Sequence, residues 1–251
     1  MVPKKLSRPW LTFGVRLSAF PVRPQEVPAA LWEQVVGAAP ETDQSQPRQH
    51  LRVQTGPWSN GVLQLTVSSD RFVWLAGPSV SPEGLPDFEN WLVETVLPEF
   101  VEVTRPWLNS VNFGIKRIGF GLHSLISVED RAAAYRLLRE LVPSLRLVEP
   151  EAATDLLFQI NRPVSSRVLG DTVRLNRLMK WSALFLGRAQ VQLTADVAQT
   201  SPVFGRQYTS LDNDVNTPAE HVEPFEAAQL GAIYDELVEL AWNNLEAGEK
   251  A

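Results

Sequence analysis

From Leu11 to Ala19 the apolar residues Leu11, Phe13, Val15, Leu17 and Ala19 fill every second position, with Thr12, Gly14, Arg16 and Ser18 between them. Side chains of a strand alternate between faces, so this is a strand with one dry side and one wet side. The dry side needs a cover, and the segments that follow supply one. Pro28 opens a short helix-like stretch in which Leu31, Trp32, Val35 and Val36 cluster before Gly37 and Pro40. A polar loop, ETDQSQP, leads into predicted strands over 50–55, 62–68 and 71–76, separated by GPWSNG and SSD turns. A helical run then places Phe88, Trp91, Leu92, Thr95 and Val96 on one face. Pro98 is expected to kink it and Arg105-Pro106 to end it.

The pattern then starts again. Residues 110–122 read as a long strand whose inward phase shifts between Ile115 and Ile118, which predicts a bulge near Lys116 and Arg117. Ser127 and Asp130 resemble a capping box ahead of a helix striped by Tyr135, Leu138, Leu141 and Val142 and stopped by Pro143. Further strands are predicted over 155–161, 172–186, 190–197 and 206–215. The last helix has Pro224 near its first turn, a face of Leu230, Ile233, Tyr234, Leu237, Ala241 and Leu245, and Gly248 after its end.

Written as elements, the halves 1–104 and 105–251 are β-α-β-β-β-α and β-α-β-β-β-β-α. This predicts an α+β unit with curved antiparallel sheets and all helices packed on one face. Arg8-Pro9-Trp10-Leu11 recurs as Arg105-Pro106-Trp107-Leu108, and Phe13-Gly14-Val15-Arg16 is echoed by Phe113-Gly114-Ile115-Lys116, which suggests internal duplication. The element order is similar to that of a TATA-box-binding-protein-like saddle, an analogy of fold alone.

Composition narrows the chemistry. With no cysteine among 251 residues there is no disulfide, thiolate nucleophile or Cys-metal site. Eight Trp and eleven Phe supply a large core, and Trp10, Trp58, Trp74, Trp91, Trp107 and Trp181 are expected there. No apolar run approaches the roughly 18 residues of a membrane span, so a cytoplasmic protein without membrane contact is expected. The net charge of −6 hides a partition: +3 over 1–77, −6 over 78–104, +6 over 105–206 and −9 over 207–251. An acidic total speaks against a plain nucleic-acid binder, but the strand-rich segments are basic.

If the aliphatic residues face the helices, alternation assigns Arg16, His50, Arg52, Gln54, Gln64, Thr66, Gln159, Asn161, Arg174, Asn176, Lys180, Gln190, Gln192 and Thr194 to the opposite side. Arg16, Arg52, Gln64, Arg174, Lys180 and Gln192 are the candidate partner-binding residues, able to meet a partner's carboxylates, phosphates or base edges. The candidate chemistry is thinner. Asp212 and Asp214, two apart on one strand, would face one way and could share a hard cation. Gly114, Gly119 and Gly121 lack dinucleotide-loop spacing, there is no phosphate-binding glycine loop, HExxH or GxSxG, and His50, His123 and His221 have no motif around them. No cofactor is implied.

The stretch IKRIGFGLHSLISVED, the LDNDV motif at 211–215 and the closing LGAIYDELVELAWNNLE resemble an uncharacterised, sporadically distributed bacterial family with an Arg-Ile-Gly strand and a C-terminal Leu-Asp-x-Asp-Val motif. Asn213 stands where that family usually has an aliphatic residue, and Gly121-Leu122-His123 where Arg-Tyr-like residues are common. The resemblance implies proteins without an established activity, accessory to mobile or defence-related gene clusters such as CRISPR-associated ones, and carries over no catalytic residue. The expectation is a non-enzymatic binding or regulatory subunit that contacts a protein through the polar sheet face or the acidic C-terminal helix. Nucleic-acid binding on that face and metal-dependent hydrolysis at Asp212 and Asp214 are the alternatives.

Overall fold

The computed structural model describes residues 5–25, 30–146, 155–193 and 198–250, so Pro28 and Thr194 lie outside the described residues. The first half is β1 (Leu11–Pro21), α1 (Leu31–Val36), β2 (Thr42–Gln46), β3 (Leu51–Trp58), β4 (Gly61–Ser68), β5 (Arg71–Pro78) and α2 (Val93–Ser110). The second is β6 (Ile115–Val128), α3 (Arg131–Leu141), β7 (Leu157–Asn161), β8 (Val164–Ser166), β9 (Gly170–Leu193), β10 (Ala198–Asn216) and α4 (Ala227–Ala247). Both halves therefore read β-α-β-β-β-β-α.

The strands form one antiparallel sheet in the order β2-β3-β4-β5-β1-β6-β10-β9-β7, with β8 paired to β9. In each half the last long strand folds back onto the first, β5 onto β1 and β10 onto β6, and β1 and β6 pair with each other at the centre. The helices pack against one face, as the α+β reading expects. The first sequence echo does not mark equivalent places, since Arg8–Leu11 leads into β1 whereas Arg105–Leu108 lies inside α2, which also carries the chain across the 104/105 division. The second falls on the first strand of each half, Phe13–Arg16 within β1 and Phe113–Lys116 running into β6.

Several expectations need correction. The polar loop after α1 contains β2, an exposed edge strand of Thr, Asp, Gln and Ser, whose pairing to β3 leaves no periodicity to detect. His50 is not a strand residue but ends a short 3-10 turn in the left-handed region, φ 49°. Helix α2 starts only at Val93 and runs through Pro98 and Pro106. Each proline forfeits one backbone bond, and burial of Val96, Leu97, Phe100, Trp107 and Leu108 outweighs the loss. The α3 cap is Asp130, whose side chain accepts the Ala133 N–H, while Ser127 belongs to β6. The strand expected over 172–186 and the described part of the one expected over 190–197 are one long β9, uninterrupted at Gly187 and described as far as Leu193; 194–197 lie outside the described residues.

The predicted bulge is present: Phe20 pairs with Arg117 and Pro21 with Ile115, leaving Lys116 unmatched. A second, unpredicted bulge leaves Phe13 unmatched, because Thr12 pairs with Ser124 and Gly14 with His123. It moves Phe13 out of the inward phase it holds in the sequence. The core lies between sheet and helices, where Val15, Leu17, Phe72, Trp74, Phe120, Leu122, Met179 and Trp181 meet Phe100, Leu230, Ile233 and Leu237. Trp10, Trp74, Trp91, Trp107 and Trp181 are buried as expected, and Trp58 is partly buried. Between α2 and α4, Thr104 Oγ1 donates to the Phe100 carbonyl at 2.7 Å, so the Tyr234 hydroxyl, 2.9 Å from the same oxygen, is its donor. Burial raises the Tyr234 phenol above its ordinary range.

The acidic helix finds its counter-charges at home. On α4, Asp235 pairs with Arg105 of α2, Glu236 and Glu239 take Arg167, and Glu246 accepts the Ser7 N–H. Beyond its end, Glu249 accepts the Ser144 N–H at 2.7 Å and faces Arg162. The −9 and +6 blocks of the sequence thus meet across the helix layer, which leaves the helix less charge to offer a partner.

Candidate functional site

Opposite the helices the centre of the sheet holds a groove of about 620 Å³, lined by side chains of β1, β4, β5, β6, β9 and β10. Register places its residues in two rows across the strands. One runs Gln64, Leu75, Arg16, Gly121, Asp214, Leu178, and the next has Gly14, His123, Asp212 and Lys180 as successive partners. Partners share a face, so the alternation that buries Val15, Leu122 and Met179 sends these residues outward.

The charges are arranged in loose pairs. Arg16 Nη2 is 4.0 Å from Asp214 Oδ2, and Lys180 Nζ is 3.8 Å from Asp212 Oδ2. Neither distance is a hydrogen bond, and all four side chains are partly exposed. The Arg16 guanidinium lies over Gly121, where a Cβ would stand 3.2 Å from Nε and Nη2. Asp214 also accepts from Asn216, which is tied to Arg117 and Asn176, and Asn176 accepts from Asn161.

His123 sits at the end of the groove with Nε2 2.8 Å from Ser210 Oγ and its ring edge-on to Phe13, centroids 4.8 Å apart. Burial holds its pKa below the ordinary value. Asp212 pushes it upward and Lys180 downward by smaller amounts. The segment after β5 closes this end: Phe88 packs on Phe13 and Tyr208, and Arg188 of β9 donates to the Pro82 carbonyl at 3.4 Å. Ser210 is buried and does not line the groove, so the Ser210–His123 pair orients the imidazole and presents no nucleophile to it.

Of the candidate residues, Arg16, Gln64 and Lys180 come together here, with Asp212 and Asp214 between the two cations. Arg52 does not. It pairs in register with the core residue Val67, and Gln54 with Leu65, so both face the helices, and Val53 is the outward residue of β3. There Arg52 grips Asp43 with Nε at 2.9 Å, which lowers the Asp43 pKa. Arg174 is held by the Pro163 carbonyl, outside the groove. Gln190 and Gln192 have strand backbone, but their side chains lie outside the described residues.

Asp212 and Asp214 face one way as expected, yet each is turned to a cation. Among the described residues no three His, Asp or Glu side chains gather as a metal ion requires. Sequence reading did not select His123, Phe13, Gly14 or Gly77 for the site: His123 has no motif around it, and Phe13 holds an inward phase in the sequence. The available signal was Gly119-x-Gly121-x-His123 in alternation with the buried Ile118, Phe120 and Leu122, whereas the Phe13 bulge has none.

Fold and site together define an α+β protein whose helices cover one side of a continuous antiparallel sheet and whose other side carries a charged, partly apolar groove. No protein-family model matches the chain, and no curated protein matches it. Among the described residues no helix is long and apolar enough to cross a membrane.

Proposed function

We propose that this protein is a non-enzymatic binding and regulatory subunit that holds a protein partner in the groove on the helix-free face of its sheet. The resemblance of its central strand and closing helix to a bacterial accessory family fits a cytoplasmic role beside mobile or defence-related genes. The observation that carries the reading is the groove itself: loosely paired Arg16, Asp214, Asp212 and Lys180 beside half-exposed Val62 and Leu75. A patch that mixes apolar surface with charges able to change partners suits protein contact.

Nucleic acid on the same face is less well supported. A phosphate backbone would find only two cations in the groove, Arg16 and Lys180, with the carboxylates of Asp214 and Asp212 between them, and Arg52 lies on the far face. The test is affinity capture from the native host with wild type and with Arg16→Glu and Lys180→Glu, each first shown to be folded. Loss of one and the same protein from both variants supports the reading. Unchanged capture by both removes the groove from it, and capture of nucleic acid that falls steeply with salt would favour the other class.

A further inference from the structure

Within that reading, the groove also points to the chemistry of what enters it. Glycines inside strands are costly, and in this molecule most have an evident occupant. Trp32 fills the place of a side chain at Gly56, Trp91 at Gly61, Arg16 at Gly121, and the Phe185 ring at both Gly187 and Gly205. Gly14 and Gly77 differ. A Cβ at Gly14 would meet nothing nearer than the Ala76 carbonyl at 3.8 Å, and one at Gly77 nothing nearer than the Phe13 carbonyl at 3.7 Å. Neither has positive φ, so neither packing nor backbone conformation calls for glycine there. Both line the groove, where their bare backbone forms a flat floor between Phe13, Val62, Leu75 and Pro78.

Charge supplies the second observation. Arg16 borders this floor, and its guanidinium donors are 4.0 Å from Asp214, too far to be engaged by it. A planar guanidinium in that state favours a carboxylate brought by the ligand. The apolar floor and walls favour a flat ring, the kind of group that covers Gly56, Gly61, Gly187 and Gly205 elsewhere in the fold.

We infer that the groove receives an acidic-aromatic segment of the partner protein, its aromatic ring lying on Gly14 and Gly77 and a neighbouring carboxylate on Arg16. This rests on the binding reading above and narrows it to one kind of ligand. The probe is a capped tripeptide, acetyl-Glu-Trp-Asp-amide, titrated into the full ¹⁵N-labelled chain while the Gly14 and Gly77 amide signals are followed. Acetyl-Glu-Ala-Asp-amide and acetyl-Lys-Trp-Lys-amide are the controls.

The acidic tryptophan peptide is expected to shift both glycine signals and to bind about tenfold or more tightly than either control. Gly77→Val, which fills the floor, and Arg16→Gln are each expected to weaken it about tenfold at unchanged Tm. Gly14→Val serves as a second floor variant should Gly77→Val lower Tm. Equal binding of the three peptides, no binding at about 5 mM, or full binding by a folded floor variant overturns the inference. If the peptides fail while Arg16→Glu and Lys180→Glu still lose the captured protein, the groove remains the interface and only the acidic-aromatic assignment falls. If both tests fail, both readings fall.

Discussion

Glu236 joins the acidic closing helix to the basic half of the chain, and its replacement tests whether that charge partition holds the fold together. The carboxylate is 4% exposed. It accepts the Ser166 hydroxyl at 2.7 Å and the Arg167 N–H at 2.6 Å, with Arg167 Nε at 3.5 Å. Ser166, also buried, in turn accepts the Val168 and Leu169 N–H groups, so one carboxylate fixes the turn between β8 and β9. Bonds to a charged acceptor contribute about 1.5–3 kcal/mol each, and removing the acceptor leaves the Ser166 hydroxyl and the Arg167 N–H without their partner. Glu236→Ala should therefore cost about 3–5 kcal/mol, or roughly 10 °C in Tm for a chain of this length. Glu236→Gln keeps an acceptor oxygen without the charge and should cost about 1–2 kcal/mol. The assay is urea unfolding followed by tryptophan fluorescence, with the m-value compared to confirm that the same surface is exposed. A Glu236→Ala midpoint within about 1 kcal/mol of wild type would refute the reasoning.

Other perturbations probe other parts of the structure. Asn244 donates to Asn213 at 2.8 Å in the core between α4 and β10; Asn244→Leu alone should cost about 2–3 kcal/mol, while Asn213→Leu with Asn244→Leu should recover most of it, measured by the same unfolding assay. Gly61→Val should be severely destabilising because its Cβ would enter the Trp91 ring, whereas Gly77→Val should leave Tm within about 2 °C, a contrast readable by differential scanning calorimetry. The lowered His123 pKa means the unfolded chain binds that proton first as pH falls. Its contribution is thus present above the usual histidine pKa of about 6.5 and lost as pH drops through the lower folded value. Unfolding curves between pH 7 and 5 should be flatter for His123→Gln than for wild type, and an equal slope would place the pH dependence elsewhere.

Local pattern carried much of this architecture. The alternation of Val15, Leu17 and Ala19, the phase shift that becomes the Lys116 bulge, and the apolar face of α4 are properties of residues close in sequence, governed by fixed side-chain periods. Edge strand β2 escaped because a strand exposed on both faces has no burial to print a period on its sequence. Arg52 was assigned to the wrong face for a related reason: β3 covers the core with Gln54 and Gly56 under Trp32, so polarity gave the phase backwards. Prolines 98 and 106 looked like breaks because their local cost is visible in sequence and the packing that outweighs it is not.

What the sequence determined by itself was an α+β chain in two halves of like order, without cysteine chemistry, with basic strand segments and acidic helical ones. Only the tertiary structure decided where those charges go. It paired most of the acid of α4 with Arg105 and Arg167 and set Arg16, Lys180, Asp212 and Asp214 around one groove, with His123 at its end and Gly14 and Gly77 as its floor. The physical reason is that strand order and register are long-range choices. Arg16 meets Asp214 only because β1, β6 and β10 are neighbours, and no local pattern in any of the three specifies that.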